Sequence, residues 1–148
     1  MNNIAYGIFA GGDKPKDFSL IKDDEHPYPV IANGTTNEGI LGYTGIATAK
    51  SGTITVAGRG TIGFSLYREY DYCPIVRLIV IEQSKYILPK YLQYVLEALP
   101  EESLGTSIPQ LTVPMLKPKL VPLPPLAEQH RIVSQIAEIM PFIDNLTQ

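Results

Sequence analysis

The sequence has 148 residues, 45% of them hydrophobic and 18% charged, which is typical of one ordinary globular domain and excludes a disordered chain. No apolar run reaches the ~20 residues of a membrane span, the first residues do not match a secretory signal, and the single cysteine excludes an internal disulfide, so a cytoplasmic protein is expected. The net charge of −3 argues against DNA binding by bulk electrostatics alone.

The first half of the chain predicts short strands separated by glycine-rich turns. Segments rich in β-branched and aromatic residues indicate strands at Asn3–Phe9, Tyr28–Ala32, Ile40–Tyr43, Thr53–Ala57 and Ile62–Tyr67. Gly11 and Gly12 mark a turn after the first strand, and Gly58-Arg59-Gly60 turns the chain between the last two strands. Those last two strands are therefore expected to form a hairpin.

The second half begins with the strongest strand pattern of the sequence, Ile75–Ile81. This run is nearly all apolar, which indicates a central strand buried on both faces, and Arg77 is its one exception. Pro89 opens a predicted helix that Pro100 ends, and Glu101–Leu120 is expected to be largely loop. Together with the first half, this order predicts an α+β fold with a mixed, twisted sheet and a few helices.

A proline-rich segment leads into a predicted C-terminal helix. Its prolines remove backbone donors, and the last of them, Pro125, suits the first position of a helix, with Glu128 at the positive end of the helix dipole. Pro141 lies farther along the same helix. Because a proline removes a helical hydrogen bond and clashes one turn back, the helix is expected to kink or end near Ala137–Met140.

Apolar residues repeat along this helix in three neighbouring rows, which makes a broad stripe that also includes Gln129. The candidates for a partner or dimer interface on this stripe are Leu126, Ile132, Val133, Ile136, Ile139, Met140 and Ile143. The stripe could pack on this chain's own core, which is the commoner arrangement for a terminal helix, or it could dock a second copy or another subunit. Because the pattern persists to the last residues, more helix is expected after Gln148.

Five stretches, taken in order, resemble one protein family. They are Phe9–Pro15 (F-A-G-G-D-K-P), Tyr28–Gly34 (Y-P-V-I-A-N-G), Ile54–Phe64 (I-T-V-A-G-R-G-T-I-G-F), Gly105–Leu111 (G-T-S-I-P-Q-L) and Pro122–Val133 (P-L-P-P-L-A-E-Q-H-R-I-V). Over nearly its whole length the chain resembles a target recognition domain from the specificity (S) subunit of type I restriction-modification enzymes. The last stretch resembles the point at which the conserved spacer helix of that family begins.

The resemblance implies that residues 1–120 form a DNA target recognition domain and that residues 121–148 are a proline-rich connector and the start of a spacer or coiled-coil helix. Such a domain reads one half of a bipartite duplex DNA sequence and has no catalytic activity or cofactor of its own. Modification subunits would methylate adenine and restriction subunits would translocate and cut, so S-adenosylmethionine, ATP and Mg are expected only on those partners. A complete specificity subunit has two such domains, so a second recognition domain or a homodimer partner is expected.

Candidate DNA contacts are polar or basic residues, several of them in segments that lack acids. No Asp or Glu occurs from Gly39 to Arg68 or from Ser103 to Ala127, which suits a phosphate-facing surface, although core segments poor in all charge would show the same pattern. The candidates are Asn33, Thr35, Thr36, Asn37, Lys50, Arg59, Thr61, Thr106, Ser107 and Gln110. Asparagine can pair with an adenine edge, and the Arg59 fork with a guanine edge or a phosphate; the alternatives are polar turns that satisfy their own backbone and a solvated loop charge.

Catalysis is not supported by the sequence. Gly58, Gly60 and Gly63 match a dinucleotide fingerprint as a string, but the residues after them predict a strand and not the helix that such a site needs. An adenine methyltransferase tetrapeptide, a nuclease metal motif, a zinc set and a hydrolase elbow are all missing. The main alternative to DNA recognition is an interaction module that docks a partner through the proline-rich segment and the C-terminal helix without contacting DNA.

Overall fold

Seven short strands, three α-helices and a 3-10 turn (Thr36–Gly39) make up the described part of the computed structural model, which covers residues 1, 3–99 and 110–146. The strands are β1 (Ala5–Ala10), β2 (Tyr28–Ile31), β3 (Ile40–Thr44), β4 (Thr53–Val56), β5 (Ser65–Arg68), β6 (Cys73–Pro74) and β7 (Ile79–Gln83). The helices are α1 (Pro89–Glu97), α2 (Val113–Leu116) and α3 (Leu126–Leu146). The predicted α+β class is confirmed, although the strands form two sheets instead of one.

The first sheet has the strand order β1-β7-β4-β5, and every neighbouring pair is antiparallel. The central position of β7 is as predicted, and both of its faces are covered. Ile79 and Ile81 pack in a core cluster with residues of α1 and α2, whereas Val80 packs in a second cluster on the opposite face. This double burial explains the unbroken apolar pattern, since each fully buried aliphatic side chain stabilises the fold by roughly 1.5–3 kcal/mol.

The second sheet has the strand order β3-β2-β6, with β2 antiparallel to β3 and parallel to β6. It packs on the face of the first sheet that α1 leaves open, because Ile31 of β2 and Tyr72 share the second core cluster with Val80. The first sheet is therefore enclosed between helices on one side and the second sheet on the other.

The prediction that Ile75–Ile81 is one continuous strand is wrong. β6 belongs to the second sheet and β7 to the first, and a turn at Val76 and Arg77 separates them. Both turn residues have left-handed backbone conformations, with φ values of 52° and 61°. Their N–H groups donate to the carbonyls of Gly12 and Gly11 at 2.8 and 3.0 Å, which helps to hold a conformation that is strained for a β-branched residue. The apolar run thus contains a change of sheet, and Arg77 marks its position.

Smaller differences concern element boundaries. β5 begins at Ser65, later than the predicted Ile62, because the loop after β4 is closed by backbone hydrogen bonds of its own. α1 ends at Glu97, and Pro100 lies outside the described residues. α2 is a helix of four residues within a segment predicted as loop. The division of the chain after residue 120 stays a prediction.

α3 begins at Leu126, one residue later than predicted, and the Pro125 carbonyl accepts hydrogen bonds from N–H groups of its first turn. The helix does not end near Ala137–Met140, because it continues through Pro141 for a total of 21 residues. The alternative expectation, a kink at this place, stays a prediction. A proline removes only one backbone donor, and the turns on both sides keep their own hydrogen bonds.

Gln129 attaches the start of α3 to the body of the domain. Its side chain is fully buried, and its Oε1 accepts a hydrogen bond from the Leu88 N–H at 2.8 Å. Its Nε2 donates to the carbonyls of Tyr86 and Pro124 at 2.9 and 2.8 Å. A polar residue can occupy this buried position because its amide satisfies three backbone groups that would otherwise lack partners.

The apolar stripe of α3 divides into two parts. Three of its members are half-buried: Ile132, Val133 and Ile136. The first two of these pack on the first core cluster, so packing on this chain's own core is confirmed for this part. The exposed members are Leu126, Ile139, Met140 and Ile143. Although this face is apolar, no helix in the described ranges is long and apolar enough to cross a membrane.

A histidine between two aspartates fixes the long loop before β2. His26 Nδ1 lies 2.8 Å from Asp23 Oδ1, and His26 Nε2 lies 2.8 Å from Asp17 Oδ1. Asp17 also accepts a hydrogen bond from the Gly45 N–H at 2.9 Å, which joins the loop to the end of β3. The hydrogen bond to Asp23 is the main cause that raises the pKa of His26. The Gly45 N–H chiefly lowers the pKa of Asp17, and His26 chiefly lowers the pKa of Asp23.

We expect the thermal stability of the domain to fall as the pH rises from below 6.5 through the raised pKa of folded His26. The stability that protonated His26 contributes is fully present below its unfolded-state pKa of 6.5 and is lost as the pH rises through its raised folded-state pKa. The two aspartates contribute above their unfolded-state pKa of 3.8 and lose that contribution as the pH falls through their lowered folded-state values. The cluster therefore stabilises the domain most at pH values above 3.8 and below 6.5.

The measurement is the melting temperature of the wild type and of His26→Gln across this pH range. His26→Gln should reduce the difference in melting temperature between the low and the high end of this pH range. The matched control His130→Gln, at an exposed position on α3, should leave that difference unchanged. An identical pH profile for His26→Gln and the wild type would contradict the proposed role of the cluster.

Candidate functional site

Three loops meet where the chain passes from the second sheet to the first, and they line a cleft of about 480 Å³. One loop follows β1 and contributes Gly11–Lys14, next to Ala10 at the end of that strand. A second loop follows β4 and contributes Arg59, and the third is the turn at Val76 and Arg77. Two of the stretches singled out in the sequence, F-A-G-G-D-K-P and A-G-R-G, therefore come together in space although about 45 residues separate them in the chain.

Glycine allows the backbones around the cleft to approach closely. An ideal Cβ at Gly11 would lie 2.5 Å from the carbonyl carbon of Pro74, and one at Gly58 would lie 2.5 Å from the Leu111 carbonyl oxygen and 3.8 Å from the Arg77 carbonyl oxygen. The Leu111 N–H also donates to the Gly58 carbonyl at 2.7 Å. Both glycines thus hold separate chain segments at distances that a side chain would prevent.

Asn33 braces two of the cleft loops. Its Nδ2 donates to the Val76 carbonyl at 2.8 Å, and its Oδ1 accepts from the Gly58 N–H at 2.8 Å. The stretch Y-P-V-I-A-N-G therefore reaches the same place as the other two, through its last side chain. Both ends of the amide are engaged with backbone, so the structure gives Asn33 a positioning role, and its contact with DNA stays a prediction.

The cleft is lined by more positive than negative side chains. Lys14, Arg59 and Arg77 line it together with one acid, Asp13. The Lys14 Nζ lies 3.7 Å from the ring centroid of Phe18, and within the described residues neither arginine takes part in an ion pair. Both arginine side chains are exposed, so their donors are accessible to an anionic ligand.

Gln110 lies beside this cleft. It lines a smaller pocket of about 110 Å³ together with Arg77, Leu111 and residues of β1, β7 and α2. Because the Leu111 N–H donates a hydrogen bond to the Gly58 carbonyl, this part of the loop before α2 is joined to the loop that carries Arg59. The other two candidates from this loop, Thr106 and Ser107, lie outside the described residues.

The remaining candidates are exposed but are placed differently. Thr35, Thr36 and Asn37 lie on the turn that follows Asn33, and Asn37 has a left-handed φ of 50°. Thr61 lies in the same loop as Arg59, whereas Lys50 precedes β4 and so lies at the opposite end of that strand. The structure therefore groups Arg59 with Gln110 and does not bring Lys50 to the cleft.

Arg68 has a structural role, although the sequence places it in an acid-free segment. Its side chain is buried, and it donates to Thr55 Oγ1 at 3.0 Å and to the Tyr70 hydroxyl at 3.0 Å. Its Nη2 donates to the Glu38 carbonyl at 2.8 Å, which holds the turn that carries Asn37. One of the cations in that acid-free segment is thus part of the core and cannot face a phosphate.

A family model described as "Type I restriction modification DNA specificity domain" matches residues 7–147. The chain belongs to this family. Two proteins of Mycoplasma pneumoniae that carry the name of type I specificity subunit are similar in sequence: one is 31% identical over 148 residues and the other 33% identical over 136 residues. These alignments cover 100% and 92% of the chain but only 44% and 38% of the relatives, so the chain spans less than half of each.

Solved structures agree with the fold of this specificity domain. The HsdS subunit from Thermoanaerobacter tengcongensis matches with a TM-score of 0.76 and 20% sequence identity over 97% of this chain and 37% of that chain. A second match comes from a structure that describes complex assembly and conformational transition of the type I R-M system. Its TM-score is 0.78 and its sequence identity 18%, over 98% of this chain and 38% of that chain. At this identity the likeness shows the fold.

The described part of this specificity domain holds no group of three or more His, Cys, Asp and Glu residues that could bind a metal ion. Cys73 is buried, and that burial raises the pKa of its thiol, which disfavours the reactive thiolate. The charged side chains that line the cleft are three cations and one carboxylate, and this excess of positive charge suits binding of an anion.

Sequence reasoning did not identify Arg77 and Lys14, which line the cleft of the specificity domain. A signal for Arg77 was present, because it is the only charged residue in a long apolar run. The run was predicted as a strand buried on both faces, and such a strand offers no exposed position for a charged side chain. Lys14 lies in a stretch that carried the family resemblance, yet no pattern linked it to Arg59. Hydrogen bonds between the loop after β1 and the turn before β7 bring Lys14 near Arg77, and Asn33 joins that turn to the loop that carries Arg59.

Proposed function

We propose that this chain is a target recognition domain that reads one half of a bipartite duplex DNA sequence for a type I restriction-modification complex, without catalytic activity or cofactor of its own. The observation that carries the proposal is the cleft at which Arg59, Arg77 and Lys14 meet. Family membership supports it, because the matching model is one of DNA specificity domains. Duplex DNA supplies the dense array of phosphates that such a cationic surface would contact.

The placement of the candidates suggests a division of work. Cations in the cleft would position the duplex through its phosphates, whereas polar side chains on the exposed turns would contact base edges. The proposed base-contacting residues of the described part are Thr35, Thr36, Asn37, Thr61 and Gln110. Because the backbones beneath these turns are hydrogen-bonded to the sheets, little conformational entropy would be lost on binding.

The proposal includes protein partners. The exposed stripe residues Ile139, Met140 and Ile143 would dock a second recognition domain or a second copy of the chain. Modification and restriction subunits would bind the assembled specificity unit in the cytoplasm and would carry S-adenosylmethionine, ATP and Mg. Half-buried Ile136 would lie at the border between the part of the helix that packs on the body and the part that docks.

The test is selection of bound duplexes from a random pool at low salt, with the oligomeric state measured in the same buffer. We expect enrichment of a short motif, occurring once for a monomer or as a spaced pair for a dimer. A parallel selection without protein is the control for amplification bias. A pool that stays random, both for the chain alone and after addition of a modification subunit, would contradict DNA reading.

A second candidate function is a protein-interaction module that does not contact DNA. It is favoured by the exposed face of α3 and by an apolar groove of about 310 Å³ formed by Tyr86 and the segment Leu123–Leu126. This candidate leaves the cations of the cleft without a ligand. The same selection separates the two, since a module of this kind would associate with a partner yet enrich no motif.

A further inference from the structure

We infer that Arg77 is a second DNA contact and that Arg59 and Arg77 together grip one backbone phosphate in the cleft. The inference rests on the proposed function and deepens it, because it assigns the cleft a specific ligand group, a phosphodiester, and adds a residue to the predicted contacts. It also gives the two arginines one shared task.

The first argument is the conformation of the turn that carries Arg77. Val76 and Arg77 have φ values of 52° and 61°, and left-handed backbone costs energy for residues with a Cβ, most of all for a β-branched one. Three hydrogen bonds hold the turn: its two N–H groups donate to Gly12 and Gly11, and the Val76 carbonyl accepts from Asn33. Strain that the surroundings hold in place in this way is typical of binding sites.

The second argument is proximity. An ideal Cβ at Gly58 would lie 3.8 Å from the Arg77 carbonyl oxygen, so the residue before Arg59 is in van der Waals range of the Arg77 backbone. Asn33 bonds to both segments at 2.8 Å and fixes their separation. The side chains of Arg59 and Arg77 therefore extend from backbone segments that are adjacent and held in place, and both line the same cleft.

The third argument is charge. Two exposed guanidinium groups and the Lys14 ammonium share a space with a single carboxylate, and in the described ranges neither arginine has a counterion. Like charges repel, so an anion bound between them would relieve that repulsion. Among the chemical groups of a duplex, the phosphate is the anion.

The shape of the ligand group favours phosphate over a base edge. A base edge is planar and pairs with one arginine fork through two parallel hydrogen bonds, which leaves no place for a second guanidinium. A phosphate is tetrahedral and carries oxygens that accept donors from several directions, so two forks and an ammonium can surround it. Arg77 should therefore strengthen binding to any duplex and should not choose its sequence.

The test uses the full chain with Arg59→Gln, Arg77→Gln and the double variant. Affinity is measured by fluorescence anisotropy for the selected duplex and for a scrambled duplex, over a series of salt concentrations. Each single variant should lose about tenfold in affinity for both duplexes, as expected for one charge-assisted contact, and should lower the slope of log affinity against log salt by about 1. The double variant should lose less than the product of the two single losses, because one phosphate needs both forks.

Two matched variants complete the design. Lys85→Gln also removes one positive charge, but Lys85 follows the end of β7 whereas Arg77 precedes its start. This control should leave the affinity and the salt slope unchanged. Arg77→Lys keeps the charge and should restore the slope while recovering only part of the affinity, because lysine lacks the planar fork. If Arg77→Gln lowers the melting temperature, Arg77→Lys still tests the contact in a variant that keeps the charge.

The outcomes separate this inference from the proposed function. Wild-type binding with an unchanged affinity and slope in Arg77→Gln would overturn the inference and leave DNA recognition standing. Loss of affinity for the selected duplex alone would show base reading and overturn the phosphate assignment. Multiplicative losses in the double variant would overturn the shared phosphate. A wild-type chain that binds no duplex at all would remove the proposed function, and this inference with it.

Discussion

Replacing Gly11 with alanine is expected to lower the free energy of unfolding by about 3 kcal/mol. An ideal Cβ at this position would lie 2.5 and 2.6 Å from the carbonyl carbon and oxygen of Pro74 and 2.7 Å from the Ile75 nitrogen. All three are backbone atoms, so no flexible side chain can rotate away. The loop after β1 would have to separate from β6, and the hydrogen bond from the Arg77 N–H to the Gly11 carbonyl would weaken with it.

The measurement is the midpoint of urea-induced unfolding, compared at a constant dependence on denaturant. Gly12→Ala is the matched control, because a Cβ at the neighbouring glycine would meet nothing within 4 Å. This control should change the free energy of unfolding by no more than about 0.5 kcal/mol. Equal losses for the two alanine variants would show that close backbone approach is not what requires glycine here.

Replacing Gln129 with leucine is expected to destabilise the domain by about 3 kcal/mol, although leucine has a similar size and is more apolar. The side chain is fully buried, and its amide is the partner of the Leu88 N–H and of the Tyr86 and Pro124 carbonyls. A leucine would leave these three backbone groups without that partner in a region poor in water. The Leu88 N–H lies directly before α1, so the start of that helix should also loosen.

Urea-induced unfolding measures the loss, and amide hydrogen exchange at Leu88 locates it. Gln135→Leu makes the same chemical change at an exposed position of α3 and should have an effect within about 0.5 kcal/mol. A Gln129→Leu variant as stable as the wild type would mean that the buried amide does not hold α3 to the body.

Local patterns predicted most of the elements. The hairpin of β4 and β5 follows from β-branched residues on both sides of a glycine turn, and the central position of β7 follows from its continuous apolar run. Proline marked the starts of α1 and α3 to within one residue. These signals act between neighbours in the chain, so one sequence is enough to show them.

Features that depend on distant contacts could not be predicted in this way. The passage from β6 to β7 interrupts no apolar pattern except at Arg77, because both halves are buried, each in a different sheet. Gln129 occupies an apolar stripe, and only its three backbone partners explain why it is polar. The helix through Pro141 shows that the loss of a single backbone donor did not outweigh the bonds of the turns around it.

The candidate site was predicted in part for the same reason. Arg59 was identified because a glycine-flanked tip is a local signal, and the structure places it at the cleft. Arg68 has the same charge and lies only nine positions later, yet it is buried, which no local pattern indicates. Asn33 was a candidate for DNA contact with backbone satisfaction as the alternative, and its two hydrogen bonds favour that alternative.

The bracing of the cleft by Asn33 has a consequence for how recognition can evolve. The bonds that hold the cleft join Asn33 to backbone atoms of Gly58 and Val76, and backbone atoms are the same whichever side chains the neighbouring residues carry. The exposed side chains of Thr61 and Arg59 contribute nothing to that bracing. Under the proposed function, a substitution of Thr61 would alter the sequence that is bound while the framework beneath it persists, so specificity and stability would change independently.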